Sequence, residues 1–463
     1  MQQSTSQSSI TRIILNGLFG QYSYDIGPLS RSPILYGENG IGKTNILKIL
    51  FHLLSPAPNA YHRTELQKIE FQSIYVFFSD GVTVDAVRET YGHEVGLITS
   101  VRKGDTVLGM WNWNGKGRAG SNKLRLEAGK RLSEISSSKE KRRELEKVLI
   151  QQMENESDPA MSEHAFLQAL ENNVPPIYLL AADRTMKSDA LSSPPSRDWR
   201  VRPDLRSDQM IEAVRHGALE AALRTASDAL SHLAFRATLS GNRSVHSTYR
   251  DLFLRLAQRS GKVTSGHDRS IEQLSGSLRM LSDRYDLYVE YGLTEKIFGD
   301  ELSDVLRKIT PENRASALDI LEPYVQSLTE HSNSLEPLFR LIDNVVSTIN
   351  DFLYDKEAKF VLGEGISIVN RFGKQISPEY LSSGEQQLLM LFCHIIMARS
   401  APGIFIIDEP EISLNIKWQR KLVNALLHLD SERNLQFFLA SHSMEILAKH
   451  RDCVVPLEGR RRQ

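Results

Sequence analysis

An α/β chain interrupted by an all-helical insertion is what these 463 residues predict, on three observations. Near the start, the apolar Ile34–Tyr36 runs into a glycine-rich turn, and Asn45–Leu54 follows with apolar residues at helical spacing until Pro56 ends it. From about 205 to 350 the pattern turns helical, broken by Gly261, Gly266, Pro311, Pro323 and Pro337. From Phe360 strand character returns, in Gly365–Asn370, Gly403–Ile407 and Leu435–Ala440, with helical spacing between. One discontinuous α/β domain therefore spans 10–190 and 351–463. A helical insertion domain occupies 191–350, and residues 1–9 form a disordered polar tail.

The remaining elements fall into that frame. Thr11–Gly20 and Ile69–Phe78 read as strands, and Val82–Val87 as a third, with the turn residues Ser79-Asp80-Gly81 before it. The charged, Ser-rich stretch 116–160 predicts an exposed helix with loose ends. Ile177–Ala181 is a short apolar run of the kind that forms a buried parallel strand, ending at Asp183-Arg184. Ser192–Pro195 marks a linker. In the helical block the prolines predict several short packed helices and no long coiled coil.

Composition narrows the function. Lys and Arg number 56 against 57 Asp and Glu, a formal net charge of −1 that excludes a globally basic nucleic-acid coat. A local basic face is still open: Arg197 to Lys262 holds 12 Lys and Arg against 7 acids, whereas Glu301 to Asp343 holds 4 against 8. Solvated helix faces, complementary subunit faces and a weak nucleic-acid face all fit that asymmetry. Two cysteines, Cys393 and Cys453, cannot make a disulfide framework, which predicts a cytoplasmic chain. No apolar run approaches the roughly 18 residues of a membrane span, and MQQSTSQSS lacks the basic and apolar regions of a signal peptide.

Four segments carry chemistry. Gly37-Glu38-Asn39-Gly40-Ile41-Gly42-Lys43-Thr44 fits G-x-x-x-x-G-K-[ST] between a strand and a helix. Such glycines let successive backbone N–H groups and the helix N-terminus face phosphate oxygens. Lys43 is placed to reach the β- and γ-phosphates and Thr44 to ligate Mg²⁺. Ile404-Phe405-Ile406-Ile407-Asp408-Glu409 is a buried strand ending in two carboxylates: Asp408 for the Mg²⁺ shell, Glu409 as general base toward the attacking water. Leu381-Ser382-Ser383-Gly384-Glu385-Gln386-Gln387 heads a helix, Leu388–Met397; alone it is a cap with its capping-box acid, but helix-end N–H groups beside a serine also suit a γ-phosphate. Phe437–Ala440 leads to Ser441-His442, where the imidazole can hydrogen-bond a γ-phosphate.

In that order the segments resemble the ABC-type ATPase heads of the SMC, RecF and Rad50 group of AAA family ATPases. They resemble more closely the small bacterial ATPases similar to the OLD family, over roughly 10–185 and 351–455. GENGIGKT looks like the Walker A motif, LSSGEQQ like the signature, FIIDEPE like Walker B, Ser413-Leu414-Asn415 like the D-loop and Ser441-His442 like the switch. The resemblance implies an ABC-type ATPase head, a P-loop sheet with helices, that carries a helical insert. It implies ATP and Mg²⁺ as cofactors, with Gly37, Asn39, Gly40, Gly42, Lys43, Thr44 and Asn45 holding nucleotide on one protomer. Ser383, Gly384 and Glu385 of a second protomer would close on it, giving a homo-oligomer, a dimer at least or a higher ring. Glu409 and His442 are the catalytic pair, Thr44 and Asp408 the metal ligands, and hydrolysis is slow and regulatory. The signature departs from the common Ser-Gly-Gly, and no convincing Q-loop glutamine is found; Asp183 or Arg184 is the candidate sensor there.

OLD-type nucleases carry a Toprim nuclease after the head, and only about 20 residues follow His442 here, so a nuclease partner is expected on a separate chain. In architecture the chain is similar to the ATPase component of PARIS-type anti-phage systems, which implies a Toprim-like effector nuclease and a phage-encoded trigger protein as partners. A RecF-like repair clamp that binds DNA through the basic part of the insert is the alternative. The ATPase of another defence type, such as Septu with an HNH nuclease, is a third. Met110-Trp111-Asn112-Trp113-Asn114, with two tryptophans at period two, reads either as an edge strand packing on the head or as a docking patch.

Overall fold

The computed structural model describes residues 8–57, 61–91, 94–113, 162–181, 186–187, 217–235, 271–297, 314–399, 402–430, 434–458 and 460–461. The charged helix expected over 116–160, Asp183-Arg184, the Ser192–Pro195 linker, residues 1–7 of the tail and most of the basic stretch lie outside them. The chain divides into two compact units: 1–202 with 398–424 and 430–463, and 203–397 with 425–429.

The first unit is built on two sheets. Strands β1 (Ile10–Leu18), β2 (Tyr22–Ile26), β4 (Ser73–Phe78), β5 (Val82–Tyr91), β6 (Glu94–Lys103), β7 (Thr106–Trp113) and β15 (Arg460–Arg461) form an antiparallel sheet in the order β15-β2-β1-β4-β5-β6-β7. Its strands alternate buried and solvent-facing residues, as in β4, where Ile74, Val76 and Phe78 are buried. The second sheet runs β14-β3-β13-β12-β8-β9, from β3 (Ile34–Tyr36), β8 (Ile177–Leu180), β9 (Met186–Lys187), β12 (Gly403–Asp408), β13 (Leu435–Ala440) and β14 (Val454–Pro456). It is parallel except at the edge strand β9. Every residue of β8, β12 and β13 is buried, which explains their unbroken apolar sequence. Helix α1 (Lys43–Leu54) packs nine buried residues between the sheets, joined by Ile406, Phe438 and Leu35 in one core.

The end of α1 shows how the tryptophan pair is used. Arg63, in α2 (Tyr61–Lys68), is almost wholly buried and donates to the carbonyls of His52, Leu53 (3.4 Å) and Ser55 (3.2 Å), which the helix leaves unpaired. Its guanidinium lies 5.0 Å from the ring centre of Phe166 and 5.8 Å from that of Trp111. Phe166 belongs to α3 (Glu163–Asn173), capped by the Ser162 side chain, and Trp113 is buried in the same core. Of the two readings of the tryptophans, packing of an edge strand is the one found. Gly109 makes it fit: a Cβ there would stand 2.6 Å from the Ala165 carbonyl oxygen.

The second unit contains α4 (217–235), α5 (Ile271–Glu290), α6 (Arg314–Asn350), the antiparallel hairpin β10 (Lys356–Val361) and β11 (Gly365–Asn370), and α7 (Ser383–Ala398). One expectation fails here. Helix α6 is a single 37-residue helix that runs through Pro323 and Pro337. A proline inside a helix costs about 3 kcal/mol, but here side-chain contacts hold the helix on both sides of Pro337. A tyrosine ladder on α5 and the turn after it supplies them: Tyr285 pairs with His331 Nδ1 (2.8 Å), Tyr288 donates to Glu336 (2.8 Å), and Tyr291, just past the helix, donates to Asp343 (2.9 Å). Packing overrides propensity at that point.

Candidate functional site

The carboxyl ends of β3, β12 and β13 lie side by side in the parallel sheet, and each delivers part of one site. Strand β3 ends at Tyr36, whose carbonyl accepts from Leu457 N–H (2.8 Å), and the chain then turns through Gly37–Gly42 into α1. Gly40 and Gly42 have φ of 86° and 97°, the left-handed region. At Gly42 space is short as well, since a Cβ would meet Leu18 Cδ2 at 2.5 Å. Gly42 is also the N-cap of α1 and brings no side-chain cap, so the first N–H groups of that helix are open to an anion. The Tyr24 hydroxyl donates to the Ile41 carbonyl (2.6 Å) and pins the turn, with its own pKa pushed up to about 12 by burial. Sequence reasoning missed Tyr24; nothing in β2 sets it apart.

Lys43 is buried and donates to the Gly37 (2.8 Å) and Glu38 (3.0 Å) carbonyls, folded back over its own loop. Burial lowers its pKa, against the pull of Glu409, Asp408 and Glu411. The Thr44 hydroxyl donates to Asp408 Oδ1 at 3.1 Å, so the two predicted metal ligands, 364 residues apart in the chain, are in contact. Burial raises the Asp408 pKa; Thr44 lowers it, Glu409 raises it and Lys48 lowers it. A hydroxyl and one carboxylate beside a phosphate cradle are the donor set of Mg²⁺ in nucleotide sites, so the residues present fit that ion.

Glu409 follows Asp408 with φ of 51°, a left-handed conformation rare for a glutamate, and its N–H donates to the Ala440 carbonyl (2.9 Å). Strand β13 then gives Ser441, His442 and Ser443. The His442 ring is exposed, while its N–H donates to Glu411 Oε1 at 2.6 Å. Ser441 Oγ and Ser443 N–H donate to the same oxygen, at 2.9 and 3.2 Å. Ser413, in the predicted D-loop, is the other left-handed residue of this edge (φ 63°). Asn39 and Gly40 are exposed, and Gly37, Thr44 and Asn45 are half-buried around the loop. Lys43, Thr44, Asp408, Glu409 and His442 are thus brought to one edge of one sheet.

The signature residues belong to the second unit. Ser383 is exposed, Gly384 and Glu385 are buried. The Glu385 carboxylate accepts from Ser382 N–H (2.7 Å), Ser382 Oγ (2.9 Å) and Lys356 Nζ (2.9 Å), and Ser382 Oγ accepts from Glu385 N–H (3.3 Å). That is a capping box tied to β10 by an ion pair. It leaves Ser383 outward at the head of α7, with Glu385 holding the turn from beneath.

Residues 194–448, more than half of the chain, match the family described as "AAA domain, putative AbiEii toxin, Type IV TA system". The chain belongs to this AAA-domain family. Among curated relatives, a "Putative ABC transporter ATP-binding protein" of Methanosarcina mazei is 24% identical over 206 residues, 40% of this chain and 40% of that protein. The molybdenum import ATP-binding protein ModC of Escherichia coli is 31% identical over 108 residues, 21% of this chain and 30% of that protein. The chain thus spans less than half the length of the curated relatives it matches. Among solved structures, the Smc head domain of Pyrococcus furiosus with an extended coiled coil, bound to the C-terminal domain of ScpA, aligns over 98% of this chain and 96% of that one, at 13% identity and a TM-score of 0.35. The family match and the curated relatives support the wider group of AAA/ABC-type ATPases. Among the described residues no helix is long and apolar enough to cross a membrane.

Proposed function

We propose that this chain is an ABC-type ATPase whose ATP-driven head association controls a separate effector. The contact between Thr44 and Asp408, at 3.1 Å beside the Lys43 loop, carries the reading. In it the Gly37–Gly42 backbone and the α1 N-terminus hold the phosphates, and Lys43 releases its two loop carbonyls to reach the β- and γ-oxygens. Thr44 and Asp408 would hold Mg²⁺, which would neutralise charge on the phosphates. Glu409 accepts a proton from water as the water oxygen bonds the γ-phosphorus; the bond to the β,γ-bridging oxygen breaks, giving ADP and phosphate. His442 hydrogen-bonds the γ-phosphate. Ser383 and Gly384 of a second protomer cover the nucleotide, so the interface is isologous and holds two ATP molecules.

The rate is slow and regulatory in this reading, because the output of head association is conformational. The effector is a nuclease on another chain, by architecture Toprim-like as in PARIS-type anti-phage systems, and a phage protein is the trigger. The experiment is co-purification of tagged Glu409→Gln protein with ATP from its own host. A stoichiometric protein with nuclease motifs is expected. Recovery of DNA with no protein partner overturns the defence reading in favour of a RecF/Rad50-like repair ATPase.

A further inference from the structure

The turn that carries His442 is bonded to the segment after Glu409 at both of its ends. At the first end one carboxylate oxygen of Glu411 takes three donors: the Ser441 hydroxyl (2.9 Å), His442 N–H (2.6 Å) and Ser443 N–H (3.2 Å). At the other end Ser443 Oγ donates to Gln419 Oε1 (2.7 Å), and Gln419 Nε2 donates to the Leu414 carbonyl (2.9 Å). Leu414 N–H returns to the Glu411 carbonyl (3.0 Å), which closes a ring of bonds from the switch through Glu411 and Gln419 to the loop Ser413–Asn415. Ser441 and Ser443 are buried, and so is Leu414, while Ser413, Asn415 and the His442 ring face solvent. The ring therefore has two outward points, His442 and the Ser413–Asn415 loop, joined by hydrogen bonds that are partly buried except the exposed one from His442 N–H.

We propose that Glu411 and Gln419 are positioning residues that transmit the nucleotide state felt by His442 to the Ser413–Asn415 loop. This rests on the ATPase reading above. When His442 moves toward a γ-phosphate its N–H and that of Ser443 move with it, and Glu411 and Gln419 cannot keep their bonds unless the Glu411–Leu414 turn follows. The two serines themselves are buried, so their polar groups resist losing partners: a buried group left unpaired costs more than the bond itself contributes. Left-handed Ser413 marks the loop as a strained element able to take a second arrangement. Glu411 acts on the imidazole through the main chain and touches no phosphate in this scheme. Gln419 has the one side chain among these that both accepts from the switch and donates to the loop.

Trp418 sits beside the loop, its main-chain N–H donating to the Asn415 backbone carbonyl and to Asn415 Oδ1, both at 3.0 Å, so its indole is the nearest fluorophore in this segment. The test measures tryptophan fluorescence of the full chain with Mg-ATP against Mg-ADP, in the Glu409→Gln background, and subtracts the Trp418→Phe counterpart. ATP affinity is measured in parallel by competition with a fluorescent ATP analogue. In Gln419→Leu and Gln419→Glu the analogue should still be displaced by ATP while the Trp418 difference is lost. Nucleotide-dependent association should weaken by about 5-fold or more. Gln419→Glu keeps an acceptor for Ser443 but cannot donate to Leu414, so it cuts one arm without emptying the site. Glu411→Gln retains an acceptor oxygen for the switch and should keep the signal. A Trp418 difference in Gln419→Glu equal to that of its parent, with ATP bound, overturns the proposal. Failure of the unsubstituted protein to bind ATP overturns the ATPase reading itself, and the proposal with it.

Discussion

Glu409 sits in a conformation that an L-residue adopts at a cost of about 1–3 kcal/mol, and the Ala440 carbonyl and the packed β12 hold it there. Such strain aims a side chain that a relaxed strand end would send elsewhere. Glu409→Gln keeps the shape and removes the proposed base, so hydrolysis should fall by about 100-fold or more while ATP still binds; phosphate release and nucleotide retention measured together check this. Lys43→Ala removes the cation proposed to reach the phosphates, and hydrolysis should drop by about 100-fold or more with the circular dichroism spectrum unchanged. The cysteines make a contrast. Burial pushes the Cys393 thiol up to about 12, so native protein should react with a maleimide at Cys453 alone, and mass spectrometry after digestion decides it.

Among the elements, α7 joins a capping box to a titrating core. Glu385→Ala removes the acceptor of Ser382 and Lys356 together, and should cost about 1–3 kcal/mol in chemical unfolding. His394, buried on the same helix, has its pKa lowered to about 4 by desolvation. The unfolded chain, with an ordinary imidazole, binds the proton at higher pH than the folded one. His394 therefore contributes stability that is present above about pH 6.5 and is lost as pH falls toward 4; unfolding curves across that range should flatten in His394→Leu. In α6, Pro337 is exposed and lacks the N–H that its helix position would use. Pro337→Ala should raise stability by about 2 kcal/mol, read as a higher melting temperature.

For the whole molecule, the proposed association has Ser383 and Gly384 of another copy complete the site, and on that reading activity and association share one concentration dependence. Sedimentation of Glu409→Gln should show an ATP-dependent shift that wild type loses as it hydrolyses, and Lys43→Ala should show none. On the proposed defence reading, Lys43→Ala should abolish phage protection in cells with expression unchanged.

The sequence alone determined the parts whose physics is local. The glycines of 37–42, the strand ending in Asp408-Glu409 and the buried strands β8, β12 and β13 are legible because backbone conformation and full burial leave their mark on consecutive residues. The ends of elements were less legible: β4 begins at Ser73, not Ile69, because Ile69 lies in the bend that closes α2. Tertiary structure decided what depends on partners far away in the chain. It put Thr44 against Asp408, ran α6 through two prolines on a tyrosine ladder, set Trp111 against Arg63 with Trp113 in the core, and bonded Glu411 and Gln419 to the turn of His442 in a way their spacing does not reveal. A hydrogen bond between residues hundreds of positions apart has no period and no composition. It exists only once the sheet has brought its strand ends together.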